Sequence, residues 1–195
     1  LLASAHDLDE TALRGPSRCP GWTRAHVLAH IAGNAAGTTR VLRWAQSGVP
    51  SPKYASSEAR ASEIEDGSRN SLSELLSAVS ATAEELVGQM DSMGNDDWKV
   101  AIPTGSGGAG DPEPASVVPW SRLRELELHH VDLDLDFTPA HWSNEFARLA
   151  VLEAMDRLGR RADPPRLVVD ATDAAASAQV GGSEGAVLVT GPVRA

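Results

Sequence analysis

Glu125-Leu-Glu-Leu-His129-His130-Val-Asp132 is the stretch whose reading decides the fold. Leu123, Leu126, Leu128 and Leu133 give it an apolar set, and neither Gly nor Pro occurs between positions 120 and 137. Both features predict a helix over 120–137. On that helix Glu125 and His129 are four apart and lie one above the other on one face. A carboxylate and an imidazole so placed can share a metal ion. The earlier run His26-Val-Leu-Ala-His30-Ile-Ala-Gly-Asn34 offers a third donor. His30, Glu125 and His129 make a two-histidine, one-carboxylate set, which suits a catalytic zinc with one position open to water or substrate.

Working outward, further helices are expected on the N-terminal side. Leu1, Leu2, Ala5, Leu8 and Leu13 recur near helical spacing and predict a helix over 1–13, broken by Gly15-Pro16-Ser17. The chain opens on Leu1 rather than Met and reads as starting partway through that helix. Thr23 is a candidate N-cap for a helix over 24–46, with Val27, Leu28, Ile31, Val41, Leu42 and Trp44 on its buried face. Residues 47–54 hold Gly48, Pro50 and Pro52 and must be a loop. Ser57 then caps a third helix, expected to run unbroken over 57–90. Trp98 to Ile102 suggests a short extended piece, and the Gly/Pro-rich residues 103–119 read as a long irregular connection. Four substantial helices predict a four-helix bundle, an architecture that builds metal sites from side chains on facing helices.

Composition shifts after Pro139. A helix is expected over 143–158, then strands over 166–170 and 186–190 with Gly181-Gly182 and Gly191-Pro192 as turns. The domain reading is therefore a helical bundle over 1–138 and a small α+β domain over 139–195, which reads as incomplete because two strands and one helix bury little surface.

The chain has 195 residues, enough for a sizeable core. Its formal charge of -10, from 17 Lys+Arg against 27 Asp+Glu, argues against a nucleic-acid footprint. No apolar run approaches the roughly 20 residues that span a bilayer, and no signal peptide is evident. Cys19 is the sole cysteine, so an intrachain disulfide is excluded, which fits a reducing cytoplasm.

Other readings of the polar residues stand beside the metal set. His26 is four before His30, so those two could be the pair on their helix; an outer-face or helix-start role is preferred for His26. His130 points about 100° from His129, and Glu127 faces away from Glu125. Asp132, three after His129, could orient its imidazole. Asp134 and Asp136 read as a solvated face, and Cys19 as a small semi-buried side chain. No Ser/His/Asp nucleophile set, phosphate-binding Gly loop or cysteine pair for zinc is present.

Three stretches, in order, resemble a known family. Cys19-Pro-Gly-Trp-Thr-Arg-Ala-His-Val-Leu-Ala-His30-Ile-Ala-Gly-Asn34 resembles the signature of the mycothiol-dependent maleylpyruvate isomerase family, within the DinB-like metalloenzymes. Arg122-Leu-Arg-Glu125-Leu-Glu-Leu-His129-His-Val-Asp132-Leu133 resembles its second metal motif. Tyr54-Ala-Ser-Ser-Glu-Ala-Arg60-Ala-Ser-Glu-Ile-Glu-Asp-Gly67 is similar to its segment after the second helix, and Val189-Thr190-Gly191-Pro192 to its small C-terminal domain.

The resemblance implies a mainly α, DinB-like four-helix bundle followed by a small α+β domain that is truncated here. It implies a divalent metal, zinc, on His30, Glu125 and His129, with Glu125 a ligand and not a general base. Mycothiol would be the thiol cosubstrate, in the cytoplasm. Charge and hydropathy add the expectation of no nucleic-acid or membrane partner, and a monomer is expected. The reaction would convert maleylpyruvate to fumarylpyruvate, a cis-to-trans step of the gentisate route of aromatic breakdown. Arg60 matches a substrate-holding position and could grip a carboxylate bidentately; a solvated helix-face charge is its plain alternative. Trp44 is a candidate pocket residue or ordinary core. The family's C-terminal domain continues past Ala195 and carries a further arginine near the site.

The chemistry is consistent. A conjugated cis double bond does not rotate, but reversible thiolate addition makes it single, and rotation and elimination give the trans product. Metal coordination presents the thiolate at neutral pH. The alternatives are a mycothiol S-transferase acting on another electrophile and a non-catalytic binding bundle. Arg60 tilts the choice toward a dianionic substrate.

Overall fold

The computed structural model describes residues 1–103, 105, 111–173, 176–182 and 184–193. Its contacts cluster into two units, Leu1–Asp136 and Phe137–Ala195.

The first unit is helical. The expected N-terminal helix is two short ones, α1 (Leu2–His6) and α2 (Glu10–Leu13), because Asp9 starts afresh: its carboxylate accepts from Ala12 N at 2.7 Å. The long central helix α3 (Arg24–Ser47) starts at Thr23, whose backbone N–H donates to His26 Nδ1 at 3.2 Å. It ends at Gly48 in the left-handed conformation, φ 73°, as a helix C-terminus favours. The helix expected over 57–90 is instead α4 (Ser57–Gly67) and α5 (Leu72–Asp91). The break is a capping box: Ser71 accepts from Glu74 N, and Glu74 accepts from Ser71 N at 2.8 Å. Such a cap is worth about 1 kcal/mol. The missed signal was Ser71-Leu-Ser-Glu74 itself.

Strand β1 (Ala101–Ile102) pairs antiparallel with β2 (Glu113–Pro114), so the connection expected to be irregular carries a two-stranded ladder. Residues 104 and 106–110 of that connection lie outside the described residues. Helix α6 (Val118–Asp132) begins earlier than expected, with Pro119 in its first turn, where a missing N–H costs nothing. It also stops five residues short. Asp132 O accepts from Arg18 N at 2.8 Å, Leu133 O from Arg24 Nε at 2.7 Å and Asp134 O from Arg24 Nη2 at 3.0 Å. Those donors satisfy the carbonyls at the helix end, and Asp134 turns the chain at φ 54°.

One apolar cluster draws Ala5 from α1, Leu13 from α2, Val27, Leu28 and Ile31 from α3, Leu75 and Val79 from α5, and Leu133 after α6. Leu13, Leu28, Ile31 and Leu133 are fully buried, each worth about 1.5–3 kcal/mol. Helix α3 packs on α4, α5 and α6, so the bundle read from the sequence is present, with α4 added. Among the described residues, no helix is long and apolar enough to cross a membrane.

The second unit has α7 (Asn144–Gly159), capped by Ser143 Oγ, which accepts from Phe146 N at 3.1 Å. Its sheet has three strands, not two: β3 (Leu167–Ala171), β4 (Ala176–Val180) and β5 (Val187–Gly191), in the order β4-β3-β5. β3 runs antiparallel to β4 and parallel to β5. β4 buries Ala176 and Val180 against α7, whose Phe146, Ala147 and Met155 are buried.

Candidate metal and substrate site

Helix α6 presents Arg122, Glu125, His129 and Asp132 at intervals of three, four and three, one stripe along the helix. Helix α3 presents His30 and Asn34 one turn apart. The two helices bring these groups together. Glu125 Oε2 lies 3.0 Å from His30 Nε2, 3.1 Å from Asn34 Nδ2 and 3.6 Å from His129 Nε2. The donor atoms of His30, Glu125 and His129 all fall within 4.8 Å of one another. His30 is buried; Glu125 and His129 are half-buried.

Partners behind the three donors fix their orientation. His129 Nδ1 is 2.8 Å from Asp132 Oδ2, leaving Nε2 to face Glu125. Arg122 is buried, and its Nη1 donates to Ile31 O and to Asn34 Oδ1, both at 3.1 Å. Asn34 therefore turns its amide N–H toward Glu125. Burial alone would raise the Glu125 pKa, but hydrogen bonds from His129 and His30 reverse this and hold it well below the usual carboxylate range. Burial lowers the His30 pKa, with its Glu125 bond opposing. The result is an ionised carboxylate beside a neutral buried imidazole, the protonation a divalent cation requires. Nitrogen and carboxylate donors with one carboxylate–imidazole pair behind them fit zinc.

Arg60, on α4, reaches the same place. Its Nη2 lies 3.3 Å from His30 Nδ1, and its guanidinium sits 6.0 Å from the Trp22 ring and 5.9 Å from the Tyr54 ring. Both distances lie at the outer reach of cation–π attraction. Arg60, His30, Glu125 and His129 line one cavity of ≈ 250 Å³ with Lys53 and Tyr54. Tyr54 is buried, and its Oη has no hydrogen-bond partner among the described residues.

The remaining candidates fall elsewhere. His26 closes the start of α3 and bonds Glu65 at 3.1 Å, so it does not share the donor cluster. His130 turns to Ser4, 2.8 Å away. Asp134 pairs with Arg18 at 2.9 Å. Trp44 lies about 21 Å along α3 from His30 at 1.5 Å per residue, so the indole beside His30 is Trp22 instead, with ring centroids 5.6 Å apart. Cys19 comes within 4.8 Å of His129 and Asp132 as a second group of possible donors. Burial and Asp132 push its thiol up to about 11, which disfavours it as a ligand. Asn34 and Arg122 could have been found as the i+4 neighbour of His30 and the i−3 neighbour of Glu125. Nothing in the sequence marks Lys53, which sits in a loop.

A helical bundle that brings two imidazoles and a carboxylate together from facing helices is of the class that builds metal sites between its helices. The chain belongs to the family described as mycothiol maleylpyruvate isomerase N-terminal domain, whose model matches residues 1–134. Two solved structures are similar over nearly the whole chain. A crystal structure of a mycothiol-dependent maleylpyruvate isomerase is 26% identical, with a TM-score of 0.92, covering 99% of this chain and 79% of that one. A histidine-to-alanine mutant of a mycothiol-dependent maleylpyruvate isomerase is 25% identical, with the same TM-score and coverage. No curated protein matches the sequence.

Proposed function

We propose that this protein is a mycothiol-dependent isomerase that converts maleylpyruvate to fumarylpyruvate at a zinc site formed by His30, Glu125 and His129. The observation that carries the reading is the convergence of those three donors beside Arg60 in one cavity. Family membership and the activity in the names of the two similar structures support the reaction and the thiol.

Zinc bound there would lower the pKa of a coordinated thiol and present a thiolate at neutral pH. The chain's own groups do the rest. Glu125 supplies the negative charge of the donor set, and Asn34 and Arg122 hold it in place. Asp132 keeps His129 Nε2 turned toward the cluster. Arg60, beside the Trp22 and Tyr54 rings, offers a planar fork to a substrate carboxylate. Holding that carboxylate lets the rest of the substrate turn about the bond that thiol addition has made single.

The test is to follow maleylpyruvate by absorbance with zinc-loaded protein, with and without mycothiol. Turnover to fumarylpyruvate only with mycothiol is expected. Metal-loaded protein that leaves maleylpyruvate untouched but forms mycothiol adducts with other electrophiles would replace this reading with thiol transfer.

A further inference from the structure

We propose that Lys53 is the second cation of a dicarboxylate receptor, its ammonium taking one substrate carboxylate while Arg60 takes the other. The proposal rests on the reaction above only for which dicarboxylate is bound.

Lys53 lies in the loop between α3 and α4 and lines the cavity that His30, Glu125, His129 and Arg60 also line. Its placement is built. Lys53 O and Cγ press onto α3 at Gly37, where an added Cβ would come within 2.7 and 2.6 Å of them. Arg40 Nη2 donates to that same carbonyl. The next residue, Tyr54, is buried and locks the loop further. Among the described residues, no carboxylate or carbonyl is bonded to the Lys53 ammonium, and Arg60 has no ion-pair partner.

Two cations therefore face one half-buried cavity whose one carboxylate, Glu125, is already taken up by His30 and Asn34. They repel each other there, and burial lowers the Lys53 pKa to about 8, with Glu125 opposing. Mostly charged at pH 7, the ammonium gains most from an incoming anion, because a desolvated charge needs a partner. One carboxylate satisfies one cation; a dianion satisfies both at once. The two groups also differ usefully. Arg60 is a rigid fork beside two rings, whereas Lys53 is a point charge on a flexible stem that can follow a carboxylate as the molecule changes from cis to trans.

Calorimetric titration of the zinc-loaded and metal-free full chain with maleate and with monomethyl maleate tests this without turnover. Wild type should prefer maleate. Lys53→Met should weaken maleate by about ten- to a hundredfold, the loss of one charge-assisted hydrogen bond. It should move monomethyl maleate far less, and Lys53→Arg should recover most of the affinity. Zinc content and melting temperature report whether the variant folds; should it not, the wild-type preference for diacid over monoester carries the same test. Equal affinity of wild type for the two ligands, no maleate binding, or maleate affinity unmoved in folded Lys53→Met would each overturn the proposal. Mycothiol-dependent turnover with a KM unmoved by Lys53→Met would sink the receptor and keep the reaction. Lys53-dependent maleate binding without maleylpyruvate turnover would do the reverse.

Discussion

Nδ1 of His129 and Oδ2 of Asp132 are 2.8 Å apart, one turn of α6 from each other. That contact takes up one imidazole nitrogen and leaves the other facing Glu125. Partners behind a ligating histidine typically govern metal affinity by about 10–100-fold. Asp132→Ala should therefore weaken zinc by that factor while leaving the helix intact. Competition against a chelator of known affinity reads it directly; an unchanged dissociation constant would show that Asp132 serves only as a helix-surface partner.

His30→Ala removes the buried donor on α3 and leaves Glu125 with Asn34 and His129. The expected outcome is loss of bound zinc on dialysis and loss of mycothiol-dependent turnover, with helical content kept. Stoichiometric zinc and full activity in the variant would remove His30 from the site.

The helices were legible where period and composition agreed. Thr23 and the run from Arg24 fixed α3, and the four-residue spacing of Glu125 and His129 put two donors on one face of α6. The misses have physical causes. Helix ends depend on groups far away in sequence: Arg18 and Arg24 take the carbonyls that stop α6. The α4–α5 break was written in a capping box that the apolar periodicity over 57–90 overrode. β4 is Ala-Ser-Ala-Gln-Val, with little intrinsic strand preference; pairing with β3 and burial of its two ends against α7 make it a strand. Lys53 and Trp22 reach the site through tertiary contacts that no local pattern encodes, whereas Trp44 had the right residue type four turns too far along.

Cys19 should be a slow nucleophile. Burial first, then Asp132, pushes its thiol up to about 11, above the roughly 8.5 of a free cysteine. Alkylation of the folded, metal-free protein should stay slow at pH 8 and accelerate toward pH 11. The linkage has a definite sign. The unfolded chain loses this proton first, so the contribution of Cys19 to stability is complete below about pH 8.5 and falls as pH rises toward 11. Urea melts of wild type and Cys19→Ala should draw closer between pH 8 and pH 10.5. A constant gap across that range, or rapid alkylation at pH 8, would contradict the raised value.

Two glycines in α3 predict opposite signs. At Gly33 an added Cβ would meet Tyr54 Oη at 3.6 Å, an ordinary contact. Gly33→Ala should then stabilise by up to about 1 kcal/mol through helix propensity. At Gly37 the same methyl would meet Lys53 Cγ at 2.6 Å and Lys53 O at 2.7 Å. The Cγ could swing away, but the carbonyl is backbone and is tied to Arg40, so the loop must lift. Gly37→Ala should cost about 1–3 kcal/mol as an overpacked site does, a fall of several degrees in Tm for a chain of this size. Because the loop carries Lys53, the same variant should also lose affinity for maleate, whereas Gly33→Ala should not share that loss through Lys53. Thermal melts and maleate titrations of the two variants side by side separate a helix effect from a loop effect. A Gly37→Ala protein as stable as wild type, with maleate binding intact, would mean that the contact at Gly37 does not set where Lys53 stands.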